Sequence, residues 1–266
     1  MSRFLATALC YLFAWDVYAW NKGSAFEPLE LTPSVASNYA IYSMIASNTY
    51  HQTDRIKFPV EKLGWRQVDA KGKLTDRPSV EMKSGLAYDI FESQHSNEVI
   101  FSFRGTDSKR DFITGNLAFP PFIGQYKAAK KAFGEFVEKH PDQRVVATGH
   151  SLGGSLALTM SVLYGVDAVV FDSSPRIFTE FRNKPAPAMR VMIYQSGEIL
   201  AAVRKVWSHK FLKIVPQEYI YKASFDFGGD NKHRSDRLAQ RLLELGATVS
   251  DDLLQVHEAL PIWGQQ

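Results

Sequence analysis

The chain has 266 residues, a length that suits one large α/β domain. Hydrophobic residues make up 45% and charged residues 22%, so a packed core is expected and a disordered chain is excluded. The net charge of +3, from 31 basic and 28 acidic residues, is too mild for a nucleic-acid binder, and the single cysteine, Cys10, rules out an internal disulfide.

Residues 1–30 read as an apolar N-terminal segment and linker. One basic residue, Arg3, precedes an apolar run from Phe4 to Trp15, which Asp16 interrupts. The pattern fits a secretory signal, a membrane anchor or a helix packed on the domain. The run is short for a transmembrane helix, which needs about 20 apolar residues, and Leu9 before Cys10 argues against a lipoprotein signal. The compartment stays open: cytoplasmic or membrane-associated if the segment is retained, secreted or periplasmic if residues 1–19 are a signal peptide. Residues 23–33 read as a linker, and Ser34 is placed to cap the helix that follows. On that helix Val35, Ala36, Tyr39, Tyr42, Ile45 and Ala46 make an apolar face. Residues 55–80 read as polar turns punctuated by Gly64, Gly72 and Pro78. Residues 86–92 and 98–103 predict two strands joined in a hairpin by the polar stretch between them. Residues 107–124 have poor periodicity. Residues 125–139 place Ala129, Ala132, Phe133, Phe136 and Val137 at helical spacing, and Pro141 ends that helix.

Beyond it the chain alternates. A buried strand is expected at 144–148, an apolar helix at 152–164, and strands at 168–171, 189–194 and 219–227. Helices follow at 235–245 and across 251–260. Strands alternating with helices predict a mostly parallel central sheet, made mixed by the opening hairpin.

Gly149-His150-Ser151-Leu152-Gly153 fits G-x-S-x-G between a predicted strand and a predicted helix, which is the context that pattern requires. A serine on so tight a turn needs small neighbours. The turn lifts its hydroxyl above the sheet and aims a helix N-terminus at it. A phosphate loop fits less well, because no Lys-Ser/Thr pair closes the motif. A nucleophilic serine needs a base, and the base needs an orienting acid.

Of the seven histidines, His209, His233 and His257 follow the serine. His150 lies inside the turn and is expected to point away from Ser151. His233 is the best placed of the three, because it follows the last strand and a glycine-rich loop. Parallel sheets gather reactive groups at the carboxyl ends of their strands. His257 is expected on a helix, and His209 sits in a basic run. For the acid, Glu198 follows the strand ending at Tyr194, and its rival Asp172 ends the strand before that one. No Cys/His group has zinc spacing, so the sequence supplies no metal-site motif.

These residues resemble the class 3 lipase family, the fungal triacylglycerol lipase type with its bacterial relatives. The run from Val99 to Asp107 looks like that family's strand and FRGT turn, the GHSLGG stretch is similar to its serine elbow, and Asp172 to Arg176 is similar to its GSPR segment. The resemblance runs from about residue 34 to 245. It implies an α/β-hydrolase fold, a mostly parallel central sheet with helices on both faces, with residues 31–266 as the catalytic domain. It implies Ser151 as nucleophile, His233 as base and Glu198 as acid, with Thr106 and Leu152 N–H groups forming the oxyanion hole. It also implies a lid at residues 107–124. The family has aspartate where Glu198 stands, which makes the acid the least diagnostic member.

The activity so implied is a serine ester hydrolase acting on lipid or acylglycerol esters through an acyl-enzyme, with no metal or organic cofactor. Phospholipase A, short-chain carboxylesterase and non-catalytic binding readings remain beside it. The expected partner is the lipid or other ester substrate, with transient contact to a lipid surface through Lys127, Lys130, Lys131 and the basic run 204–213, and no nucleic acid.

Overall fold

The structure is a computed structural model that describes residues 27–51, 55–76, 82–105, 121–175, 177, 187–201, 204 and 214–261. The first elements are β1 (Leu29–Glu30), α1 (Pro33–Asn48), a 3-10 turn (Val60–Leu63), β2 (Trp65–Val68), β3 (Tyr88–Ser93) and β4 (Glu98–Phe103). The central ones are α2 (Pro121–Lys139), β5 (Arg144–His150), α3 (Leu152–Tyr164), β6 (Asp167–Phe171) and β7 (Arg190–Gln195). A 3-10 turn (Gln217–Tyr219), β8 (Ile220–Ala223), α4 (Ser235–Ala247) and α5 (Asp251–Glu258) close the described chain.

Eight strands form one sheet in the order β1-β8-β7-β6-β5-β4-β3-β2. From β1 to β4 every neighbouring pair is parallel, and β3 and β2 add the antiparallel edge. The central strands are near-continuous apolar runs because both of their faces are covered. Strand alternation sends Val146, Val169, Val191 and Ile193 to the core shared with α1, α4 and α5. It sends Val145, Ala147, Ala168 and Val170 to the core shared with α2 and α3. On the first face, Ala36 and Ala40 of α1 pack in one core with Leu238, Ala239, Leu242 and Leu243 of α4.

Several local expectations are corrected. Thr32, not Ser34, caps α1: its hydroxyl accepts from Val35 N–H at 3.3 Å, and Pro33 takes the first helical position, where its missing N–H costs nothing. Leu29–Glu30, read as linker, pairs with Tyr221 and Lys222 as an edge strand. The supposed turns at 55–80 contain β2, a short edge strand with only Val68 buried, too brief to show a period. α2 starts at Pro121, four positions before the residue expected, so the end of the irregular segment is helical. The last strand stops at Ala223 instead of 227. There the Gln195 side chain takes over the pairing: its Nε2 donates to Phe225 O at 3.0 Å and its Oε1 accepts from Phe225 N–H at 3.2 Å.

Leu242 is fully buried in the α1–α4 core. Leu242→Ala is expected to lower unfolding stability by about 2–5 kcal/mol. Urea denaturation checks it, as a lower midpoint at unchanged slope.

Candidate active site

Four parallel strands deliver their next residues to one end of the sheet. β5 leads into Ser151, β6 into Asp172, β7 into the turn holding Glu198, and β8 into the loop holding His233. Ser151 joins β5 to α3 at φ 57° and ψ −124°, a left-handed geometry that strains any residue with a Cβ. Two neighbours hold it there. Its N–H donates to Phe171 O at 3.1 Å, and its carbonyl accepts from Ser174 N–H at 3.0 Å. Gly153 allows α3 to pass against β4, since a Cβ on it would lie 2.1 Å from Phe103 O. Gly105, just after β4, is equally confined: a Cβ there would stand 2.3 Å from Tyr50 Oη and 3.3 Å from Ser151 Cβ.

Ser151 Oγ lies 2.9 Å from His233 Nε2, and His233 Nδ1 lies 2.6 Å from Glu198 Oε2. An ionised carboxylate only accepts, so Nδ1 carries the proton and Nε2 is left as the acceptor facing the serine hydroxyl. Glu198 is itself anchored. Leu200 N–H donates to its Oε2 at 2.8 Å, and Arg204 Nη2 donates to its Oε1. Arg204 is fixed in turn by Ser173 O at 2.9 Å and by the Tyr194 ring, 4.9 Å from the guanidinium carbon. Burial pushes the Glu198 carboxyl up, but its bond to His233, the charges of Arg204 and His233, and the Leu200 N–H outweigh this and leave it below the ordinary range.

Asp172, the rival acid, is fully buried at φ 41°. Its Oδ1 accepts from Gln195 N–H at 2.7 Å, and its Oδ2 faces His150 Nε2 at 3.8 Å. Burial first and the Glu198 charge second push its carboxyl well up, against the smaller opposing effects of Arg204 and Gln195 N–H. The carboxylate on His233 Nδ1 is therefore that of Glu198, while Asp172 sits behind, toward its neutral form. His150 Nδ1 meets Tyr50 Oη at 2.9 Å, and its ring lies 4.7 Å from the ring of His233. Burial, then the neighbouring His233, Arg55 and Arg204, hold His150 well below the usual imidazole range, so it is neutral at neutral pH.

Leu152 opens α3, and the first N–H groups of a helix have no partner within it, so its N–H is available beside Ser151. Thr106, the proposed second donor, lies outside the described residues, as do residues 107–120 of the expected lid, His209, and residues 1–26. His257 is on α5 beside Glu244, 4.0 Å from its Oε1, and takes no part in this group. Arg204, expected to meet anionic head groups from a basic run, instead turns inward to Glu198. Tyr50 and Arg204 were the residues sequence reading missed. Tyr50 carried no motif, and Arg204 was hidden in a charge run that read as a solvated face.

The strand–serine–helix turn at the centre of this mostly parallel sheet defines an α/β-hydrolase. Residues 41–206 match the model of a phospholipase-like family described as the Tle-like phospholipase domain. The match takes in more than half of the chain, which belongs to that family. A stretch of 48 residues is 44% identical to ATG15 of Candida glabrata, a protein named as a lipase; it covers 18% of this chain and 10% of that one. Among solved structures, the lipase of Rhizopus microsporus var. chinensis is similar with a TM-score of 0.49 at 17% identity, over 66% of this chain and 71% of that one. Lip2 lipase of Yarrowia lipolytica gives 0.48 at 17% identity, over 66% and 78%.

Folding lowers the pKa of Glu198, so its contribution to stability is complete above its ordinary value of 4.5 and is lost as pH falls through the lower folded value. Glu198→Gln is expected to unfold at lower urea than wild type at neutral pH. The gap between them should narrow in acid, as a series of urea midpoints from neutral to acid pH would show.

Proposed function

We propose that the protein is a serine hydrolase of lipid esters, with phospholipids first among its substrates. The observation that carries this reading is the continuous hydrogen-bonded line from Ser151 Oγ through His233 to Glu198, built at the carboxyl ends of parallel strands. Ser151 Oγ attacks the ester carbonyl while His233 Nε2 takes its proton. The imidazolium so formed is stabilised by Glu198, whose other oxygen is held by Arg204. The developing oxyanion is met by Leu152 N–H, with Thr106 as the second donor. Each such donor is worth about 3 kcal/mol. His233 then gives the proton to the leaving alcohol. Water, deprotonated by the same imidazole, cleaves the acyl-enzyme and releases the fatty acid.

Two further points support a lipid over a small soluble ester. The family description is that of a phospholipase domain. Lys127, Lys130 and Lys131 are exposed along α2, where they can meet anionic head groups.

The test is free fatty acid release, followed by mass spectrometry, from vesicles of mixed phospholipids and from emulsified acylglycerols. Ser151→Ala and His233→Ala should each lower release by roughly 10⁶-fold, and Glu198→Ala by about 10⁴-fold. Release unaffected by Ser151→Ala would overturn the reading. Release confined to acylglycerols would move the substrate to neutral lipids, and release confined to short soluble esters would remove the lipid assignment.

A further inference from the structure

Two buried side-chain atoms behind the serine make no hydrogen bond of normal geometry: His150 Nε2, on a ring that the His233 backbone carbonyl approaches, and Asp172 Oδ2. They face each other at 3.8 Å. A ring nitrogen of His233 stands with them, and the three potential ligand atoms all lie within 4.8 Å of one another. Two imidazole nitrogens and one carboxylate oxygen are the donor set of an open, three-ligand zinc site.

Metal ligands are normally oriented from behind by hydrogen bonds to their other polar atom. All three groups have that support here. Tyr50 Oη holds His150 Nδ1 at 2.9 Å, Gln195 N–H holds Asp172 Oδ1 at 2.7 Å, and Glu198 holds His233 Nδ1 at 2.6 Å. The remaining donor of each is the atom turned toward the others or toward Ser151.

We propose that His150, Asp172 and His233 form a site for a divalent transition ion, zinc above all, and that occupancy inhibits the enzyme. The ion draws His233 Nε2 away from Ser151 while Glu198 keeps Nδ1, so the serine loses its base. Three protein ligands leave a fourth position for water. The nitrogen-rich set selects Zn²⁺, Co²⁺ or Cu²⁺ over Mg²⁺ and Ca²⁺, which prefer all-oxygen sites. The inhibition rests on the proposed role of Ser151 and His233. The binding does not, and can be measured without activity.

Binding is read on the full chain carrying Ser151→Ala, titrated with Co²⁺ and followed by visible absorption. One ion per chain with the intense spectrum of a four-coordinate centre, displaced by Zn²⁺, is expected. Adding Asp172→Asn removes one ligand and should lower the affinity more than about 10-fold; Tyr50→Phe, which removes only the orienting hydroxyl, should lower it about 10-fold. Asparagine tolerates the positive φ of position 172 and still accepts from Gln195 N–H, and Tyr50→Phe keeps the proposal testable if the Asn variant fails to fold. In the wild type, Zn²⁺ should suppress fatty acid release, EDTA should restore it, and Mg²⁺ should do neither. A six-coordinate spectrum, or equal affinity in all three variants, overturns the site. Undiminished release at Zn²⁺ concentrations that saturate the Ser151→Ala protein overturns the inhibition. If the site binds as expected but the wild type releases no fatty acid from any lipid, the site stands and the lipid hydrolase reading falls.

Discussion

The backbone at Ser151, φ 57° and ψ −124°, is the constraint on which the rest is arranged. Such a conformation costs about 1–3 kcal/mol and survives only where its surroundings over-determine it. β5 is well suited to hold it, because it is bonded along its length to β4 on one side and β6 on the other. Phe171 O and Ser174 N–H then extend that grip past the end of β6 onto Ser151 itself. A strand at the edge of the sheet would lack one of these partners. The glycines follow from the same requirement. α3 must begin directly above β4 to present its N-terminus, and the 2.1 Å gap that a Cβ on Gly153 would leave to Phe103 O admits no side chain there.

The second constraint is charge. Five ionisable groups crowd the carboxyl ends of β5 to β8: Glu198, Asp172, His150, His233 and Arg204. Their burial is incompatible with all of them being ionised. Glu198 keeps its charge because His233, Arg204 and a backbone N–H compensate for the lost water. That charge, together with burial, drives Asp172 toward its neutral form, and burial with nearby positive groups keeps His150 neutral. One carboxylate and one guanidinium then balance each other. In the proposed mechanism, a proton passing from Ser151 to His233 would enter a region with an anion already placed beside it and no second imidazolium to oppose it.

The sheet was legible in the sequence because its central strands are buried on both faces, and such strands announce themselves as apolar runs bounded by glycine and by amphipathic helices. The serine was legible because close backbone approach leaves only glycine, and glycines at fixed spacing survive as a pattern. The edge elements were not. β1 is two residues long and β2 four, too short for either period to appear. The end of β8 could not be placed because the Gln195 side chain imitates a continuing strand. Arg204 and Tyr50 were invisible for a different reason. Each matters through its partner, His150 a hundred positions from Tyr50 and Glu198 across a turn from Arg204, and side-chain chemistry alone does not distinguish Arg204 from the other basic residues of its run.

The match to the phospholipase-like family ends at residue 206, so it takes in Ser151, Glu198 and Arg204 but stops short of His233. What ties the histidine to the site is topology. β8 runs parallel beside β7, so the loop after it must emerge next to the turn after β7. Glu198 lies in that turn. The longer reach of glutamate would loosen a carboxylate held only by its histidine. Here Leu200 N–H and Arg204 fix both oxygens, so the additional methylene changes where the side chain starts and not where its charge sits. Arg204 thus gives Glu198 a second anchor beside His233, at the position where the resemblance to class 3 lipases implies an aspartate. Replacing Glu198 by Asp would shorten the reach to His233 and to Arg204 together, so the two residues are best understood as one unit.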